Sequence, residues 1–130
     1  MTDNRTGLVF LPPAQMPACL AGLQAENADI REVCLRSVRN KNALLARFAQ
    51  ALDFDEGIGQ NWDSLADALR DIFPVPAARQ ALLVCHCRTL AKAAPEDLQI
   101  LLEILAETQA FYAEHGQPVE IVLDAELPEG

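Results

Sequence analysis

The sequence predicts an α/β domain: a small, mostly parallel three-stranded sheet packed by helices, with an extra strand/helix unit at the N-terminal end. Three observations predict it. Short runs rich in Val, Ile and Leu alternate with longer segments of helical period, the pattern of strands joined by helical crossovers. One of those runs, 81–87 (ALLVCHC), is almost wholly apolar, as suits a central strand covered by helices. The chain has 130 residues, 51% of them hydrophobic, which is one domain's length with material for a real core.

Taken in order, residues 7–12 (GLVFLP) form a short apolar run closed by two prolines, an edge strand. Pro17 opens a short helix over 18–24, since proline is tolerated at a helix start. Residues 31–38 (REVCLRSV) have strand length and composition. In the following segment Leu44, Leu45, Phe48 and Leu52 share one helical face, and Asn40 or Asn42 caps its start. Residues 53–60 are polar with two glycines, hence a loop, and Asn61 caps the next helix. That helix is ended by Phe73-Pro74, because a residue before proline avoids the helical region. After the 81–87 strand, residues 89–94 make a helical turn. Pro95 then opens a long helix with Glu96 and Asp97 in its first turn, where the helix dipole favours anions. Gly116 stops it. Residues 118–123 (PVEIVL) are the last strand, and 124–130 a frayed tail. The expectation is a single domain over 1–130, with 1–30 as an N-terminal extension and 31–124 as the core.

Composition narrows function. No run of about 18 apolar residues exists to span a membrane, and the first residues, MTDNRTGLVF, lack a basic start followed by an apolar stretch. A cytoplasmic protein with reduced thiols at Cys19, Cys34, Cys85 and Cys87 is expected. The net charge of −9 argues against nucleic-acid binding, which needs a basic footprint.

The negative charge is concentrated. Between Asp53 and Asp71 there are six acidic residues (Asp53, Asp55, Glu56, Asp63, Asp67, Asp71) against one basic residue, Arg70, so this window carries net −5. Asp63, Asp67 and Asp71 recur every fourth residue. Like charges at that spacing cost a helix a few tenths of a kcal/mol per pair. At about 100° per residue, Trp62, Leu65, Leu69, Ile72 and Phe73 cluster on one side and the three aspartates on the other. The apolar stripe is assigned to the core and the aspartates to a solvent-facing ridge. A purely solubilising face would more naturally pair glutamate with lysine, since aspartate is the poorer helix former. A ridge that docks a basic surface accounts better for the pattern.

These residues carry a resemblance. The segment NALLARFAQALDF followed by GIGQNWDSLADALRDI resembles the barstar family of intracellular ribonuclease inhibitors. The shared pattern is a helix, an acidic loop with a glycine, and then Asn-x-Asp-x-Leu-x-x-x-Leu, here Gly59, Asn61, Asp63, Leu65 and Leu69. The later apolar strand, long helix and VEIVL strand follow in the same order. The resemblance implies a small parallel sheet packed by helices, and an action in which a carboxylate-bearing helix plugs a basic, phosphate-binding active site. Asp63 and Asp67 match the two aspartates presented to the nuclease, with Asp67 entering the phosphate site. Asn61, Gly59, Gly57, Glu56 and Asp71 would support them, and Glu114 is the nearest match to a contacting glutamate of the long helix. The chain departs from the family where it has Gly57 for a tyrosine, Ala66 for a tryptophan, and Arg70-Asp71-Ile72 for Thr-Gly-Trp. These departures point to a ribonuclease other than barnase.

Other constellations are read structurally. Cys85-His86-Cys87 sits on the predicted strand, where alternate side chains point apart, so the cysteines are core thiols rather than metal ligands. His115 is a capping or surface histidine and Trp62 a core residue. No nucleophile motif is present, and neither cofactor nor metal is called for. The expected protein is therefore a non-enzymatic binder of a basic protein, probing neither nucleic acid nor membrane, with oligomeric state open. Two alternatives stand beside it: an adaptor for a basic partner that is not a nuclease, and a Mg²⁺-dependent hydrolase using Asp63, Asp67 and Asp71.

Overall fold

The computed structural model describes residues 8–77 and 79–124 of the chain. Four strands, β1 (Leu8–Phe10), β2 (Asp29–Cys34), β3 (Gln80–Cys85) and β4 (Val119–Leu123), form one parallel sheet in the order β1-β4-β3-β2. Five helices connect them: α1 (Met16–Ala25), α2 (Lys41–Ala51), α3 (Trp62–Leu69), α4 (Arg88–Ala93) and α5 (Pro95–Glu114). A tight helical turn at Pro13–Gln15 leads into α1.

The sheet has four strands where three were expected. The N-terminal run enters it as β1, parallel to β4, and Leu11 N donates to Leu123 O at 2.9 Å beyond the paired residues. The physical reason lies in β4. Four of its five residues are buried, so both of its edges sit inside the fold and both need hydrogen-bonding neighbours.

Parallel strands need crossovers, and these are right-handed. The first, from β1 to β2, runs across the whole sheet in one direction. The next two, β2 to β3 and β3 to β4, step back the other way. A constant hand therefore puts α1 on one face and α2 to α5 on the opposite face. The core divides accordingly. Met16 and Leu23 of α1 pack on Ala81, Leu83 and Val122. On the other face Leu44, Phe48, Leu65, Leu69, Leu101 and Leu105 pack on Val33, Leu82, Val84 and Ile121. This accounts for the apolar run at β3, whose side chains meet a helical layer on both sides.

Several boundaries differ from expectation. α1 begins at Met16, with Pro17 in its first turn. The 31–38 strand lies at Asp29–Cys34, while Leu35 and Val38 beyond it are still buried. Asn40, not Asn42, caps α2, accepting from Ala43 N at 2.8 Å. The strand expected at 81–87 stops at Cys85, because His86 takes a left-handed conformation with φ +60. The buried Asp124 carboxylate holds this kink, accepting from His86 N at 2.7 Å and Cys87 N at 3.1 Å. The kink sends Cys87 into the large core and leaves Cys85 half-buried on the α1 face. The two thiols are thus not a same-side pair, and Cys85 is not a fully buried one. Of the expected frayed tail, Asp124 is buried and residues 125–130 lie outside the described residues, as does Gly7 of the first strand.

Candidate acidic docking site

α3 starts at Asn61, whose extended backbone (φ −145) turns its side chain back over the first turn. Asn61 Oδ1 accepts from Ser64 N at 2.7 Å. Ser64 in turn accepts, at its Oγ, the backbone N–H of Gly59 at 2.7 Å. The two bonds lock the loop to the helix start, and the first satisfies a donor that a helix end otherwise leaves unpaired. The loop itself turns at Gly57 (φ +87) and Gly59 (φ +80), conformations that glycine adopts freely and other residues rarely do. At Gly59 a side chain is excluded twice over, since an added Cβ would stand 2.8 Å from Phe54 Cδ2.

The far end of α3 is anchored as firmly. Tyr112 of α5 is buried, and its hydroxyl donates to Leu69 O at 2.6 Å and accepts from Phe73 N at 3.3 Å. Burial pushes the Tyr112 phenol above its ordinary range. The Gln117 side-chain amide donates to Phe73 O at 2.8 Å and to Gln80 Oε1 at 2.8 Å. Between these anchors Leu65 and Leu69 are fully buried.

The helix is shorter than the sequence suggests. It ends at Leu69, and the chain tightens there through Arg70 N to Asp67 O and Asp71 N to Ala68 O bonds of 3.2 and 3.1 Å. The proline at 74 does not set the end. The backbone groups of Phe73 are taken by Tyr112 and Gln117, which draws the chain off the helical path. Ile72 and Phe73 still reach the core. Asp71 consequently stands on the turn after α3 rather than on the helical ridge.

The ridge is Asp63 and Asp67, one turn apart on the solvent side of α3. Both are exposed, as are Asp53, Asp55, Glu56 and Asp71. Among the described residues none of these six joins an ion pair; the ion pairs there are Arg31 with Asp29 and Arg79 with Glu26 and Glu120. Arg70, the one cation of the window, lies over the Phe111 ring at 5.2 Å. Trp62 is half-buried, packed on the core with Lys41 Nζ 5.9 Å from its ring, so it is less enclosed than a core residue. Glu114 is exposed in the last turn of α5, one turn beyond Phe111. His115 Nδ1 lies 2.8 Å from Phe111 O, at the end of the same helix. Among the described residues no three His, Cys, Asp or Glu side chains form a set that could hold a metal ion.

The structure therefore brings Gly57, Gly59, Asn61, Asp63 and Asp67 into one capped loop-and-helix unit, with Glu56 on the same loop and Asp71 just past its end. Sequence reasoning missed Ser64, Phe54 and Tyr112. Ser64 had a signal, three residues after a capping asparagine, where a capping-box partner stands. Tyr112 had none, since its hydroxyl serves backbone groups far away in sequence.

A protein-family model described as "Barstar (barnase inhibitor)" matches residues 28–124, most of the chain and the whole of this site. The chain belongs to the barstar family. The matched span contains Gly57, Gly59, Asn61, Asp63, Ala66, Asp67 and Ile72. A search of the curated proteins finds no significant match. Among solved structures the chain is similar to one titled "Structure of Drosophila ORC bound to DNA", with a TM-score of 0.53 and 15% identity over 97% of this chain. It spans 34% of that chain's length, and the likeness is one of fold alone. Among the described residues no helix is long and apolar enough to cross a membrane.

Proposed function

We propose that this barstar-family protein is an inhibitor that binds a ribonuclease and occludes its basic active site with α3 and the loop before it. The observation that carries the reading is the rigid presentation of Asp63 and Asp67. Both are exposed, neither joins an ion pair among the described residues, and the helix that bears them is fixed at both ends. Pre-fixed charge lowers the ordering cost of association. A row of carboxylates also speeds encounter with a basic surface in a salt-dependent way.

In this reading Asp67 enters the site that normally holds a substrate phosphate. Forked arginine donors suit a carboxylate as they suit a phosphate. Asp63 pairs with a neighbouring cation, and Glu56, Asp71 and Glu114 add to the field. Gly57, Gly59 and Asn61 set the path of the loop. The mutual repulsion of the aspartates, a few tenths of a kcal/mol per pair, is relieved once the partner's cations stand between them. Nothing in this action calls for bond chemistry, so the protein acts as a plug and not as an enzyme. The core of the inhibitor is assigned to 31–124. The aromatic residues missing at 57, 66 and 72 favour a ribonuclease other than barnase.

A panel of small basic ribonucleases, titrated with the protein at low salt, tests this. At least one enzyme is expected to be inhibited in a stoichiometric manner. Truncating one member of a buried charge pair costs about 2–5 kcal/mol, so Asp67→Ala is expected to weaken inhibition by about 30-fold or more. Equal inhibition by native protein and Asp67→Ala would refute the assigned role of the ridge.

A further inference from the structure

A groove of about 430 Å³ opens between α2 and the 54–60 loop. Ala46, Ala49, Phe54 and Ile58 give it apolar walls, while Asp55 and Glu56 stand on its rim. Its lining residues include no lysine or arginine. Ile58 is 44% exposed, one of three large apolar side chains that stand out among the described residues, and it does so in the middle of the most acidic stretch of the chain. The left-handed glycines on either side of it fix that exposure. The groove ends at Gly59 and Gln60, directly before the cap of α3, so it continues the acidic ridge rather than lying apart from it.

We propose that this groove receives an aromatic side chain of the partner, carried on a loop that flanks it with arginine or lysine. The proposal rests on the reading of α3 as the docking helix and names the second half of that interface. The volume decides the size of the occupant. Pockets that enclose small molecules run from roughly 300 to 1,000 Å³, so this one has room for one large side chain and not for a folded element. The charges decide its setting. An aromatic body satisfies Ala46, Ala49, Phe54 and Ile58, and flanking cations satisfy Asp55 and Glu56. A neutral apolar loop would leave that rim desolvated without partners, and a basic loop without an aromatic would leave the walls in water. α2 thereby becomes part of the binding surface, with Ala46 and Ala49 small because the guest needs the space.

Amide-resolved NMR titration of the isotope-labelled protein with three capped tripeptide amides, Arg-Phe-Arg, Arg-Ala-Arg and Ser-Phe-Ser, tests the proposal. Arg-Phe-Arg is expected to move the amides of Ala46, Ala49, Ile58 and Gly59, and to bind at least about tenfold more tightly than the other two, as a buried anchor does. Ala46→Trp, on the exposed side of α2, fills the groove and is expected to abolish those shifts. Should that variant not fold, Ile58→Ser removes the apolar lip and is expected to weaken Arg-Phe-Arg by about threefold or more. Equal binding of Arg-Phe-Arg and Arg-Ala-Arg, or shifts that leave these amides unmoved, would overturn the proposal. The ribonuclease panel, run with the same native protein, separates it from the ribonuclease reading. Peptide binding that survives while no ribonuclease is inhibited keeps the groove and removes the inhibitor. Inhibition without peptide shifts does the reverse.

Discussion

Replacing Gly59 by alanine probes the strain that shapes the acidic loop, and Gly57 supplies an internal control. Both glycines lie in the left-handed region, at φ +80 and φ +87. An alanine there costs about 1–2 kcal/mol, offset by about 0.4–1 kcal/mol because alanine restricts the unfolded chain. That is the whole effect at Gly57, where an added Cβ meets nothing within 4 Å. Gly57→Ala is therefore expected to destabilise by about 0.5–1.5 kcal/mol. At Gly59 the same methyl would stand 2.8 Å from Phe54 Cδ2 and 3.1 Å from Cε2. The ring must leave its preferred rotamer, at about 0.5–1.5 kcal/mol. The Gly59 N–H bond to Ser64 Oγ also loosens, for about 0.5–1.5 kcal/mol more. Gly59→Ala should thus cost about 2–3 kcal/mol in all. With a urea m-value of about 2 kcal/mol/M, its midpoint falls by about 1–1.5 M, and that of Gly57→Ala by half as much or less. Urea unfolding followed by Trp62 fluorescence and by far-UV dichroism reads both. Equal midpoints for the two variants would refute the contact with Phe54 as the source of the loop's shape.

Three further outcomes follow from the same structure. Tyr112→Phe leaves Leu69 O and Phe73 N without their buried partner and is expected to cost about 2–3 kcal/mol, with faster amide exchange at the end of α3; a loss under about 0.5 kcal/mol contradicts the anchor. Asn61→Ala removes the α3 cap and is expected to cost about 1 kcal/mol in the same urea assay, whereas Asn42→Ala, which caps nothing, stays near zero. Burial pushes the Cys85 thiol up to about 11 and the Cys87 thiol higher still. The fold holds these protons more tightly than the unfolded chain, so stability is full below the ordinary thiol range of about 8.5 and falls as pH rises toward 11. A urea midpoint at pH 10 equal to or above that at pH 8 would contradict this.

What was legible in the sequence follows from where information is local. The α/β class and the helices were readable, because local signals mark the helix starts: Asn40 and Asn61 cap α2 and α3, and Pro95 stands at the first position of α5. The apolar run at 81–87 identified the central strand, but its end was set by Asp124, which receives the backbone N–H groups of residues 86 and 87 from the far end of the chain. No local pattern carries that bond. The C-terminus of α3 was misplaced for the same reason. Proline at 74 offered a local stop, yet Tyr112 and Gln117 divert the chain earlier, and the contact spans from α5. The three-residue β1 was legible as an edge strand, but its neighbour was not, since its place depends on the open edge of β4. In the candidate site the charges and the two glycines stood out in sequence, and the opposition of apolar and acidic sides of α3 held for Leu65, Leu69, Asp63 and Asp67. The groove beside α2 was invisible there, because it is formed by small side chains brought against a loop by the turn at Gly57 and Gly59.

The most direct test of the account is capture of the partner by the ridge itself. The native protein and an Asp63→Ala Asp67→Ala variant are immobilised in parallel, exposed to lysate of the source organism at low salt, and washed. The captured proteins are then eluted at high salt and assayed for ribonuclease activity before and after adding back free native protein. The account predicts a basic ribonuclease retained by the native bait alone, active in the eluate and silenced again by the native protein but not by the variant. Retention of the same proteins by both baits, or an eluted nuclease that the native protein leaves active, would contradict it.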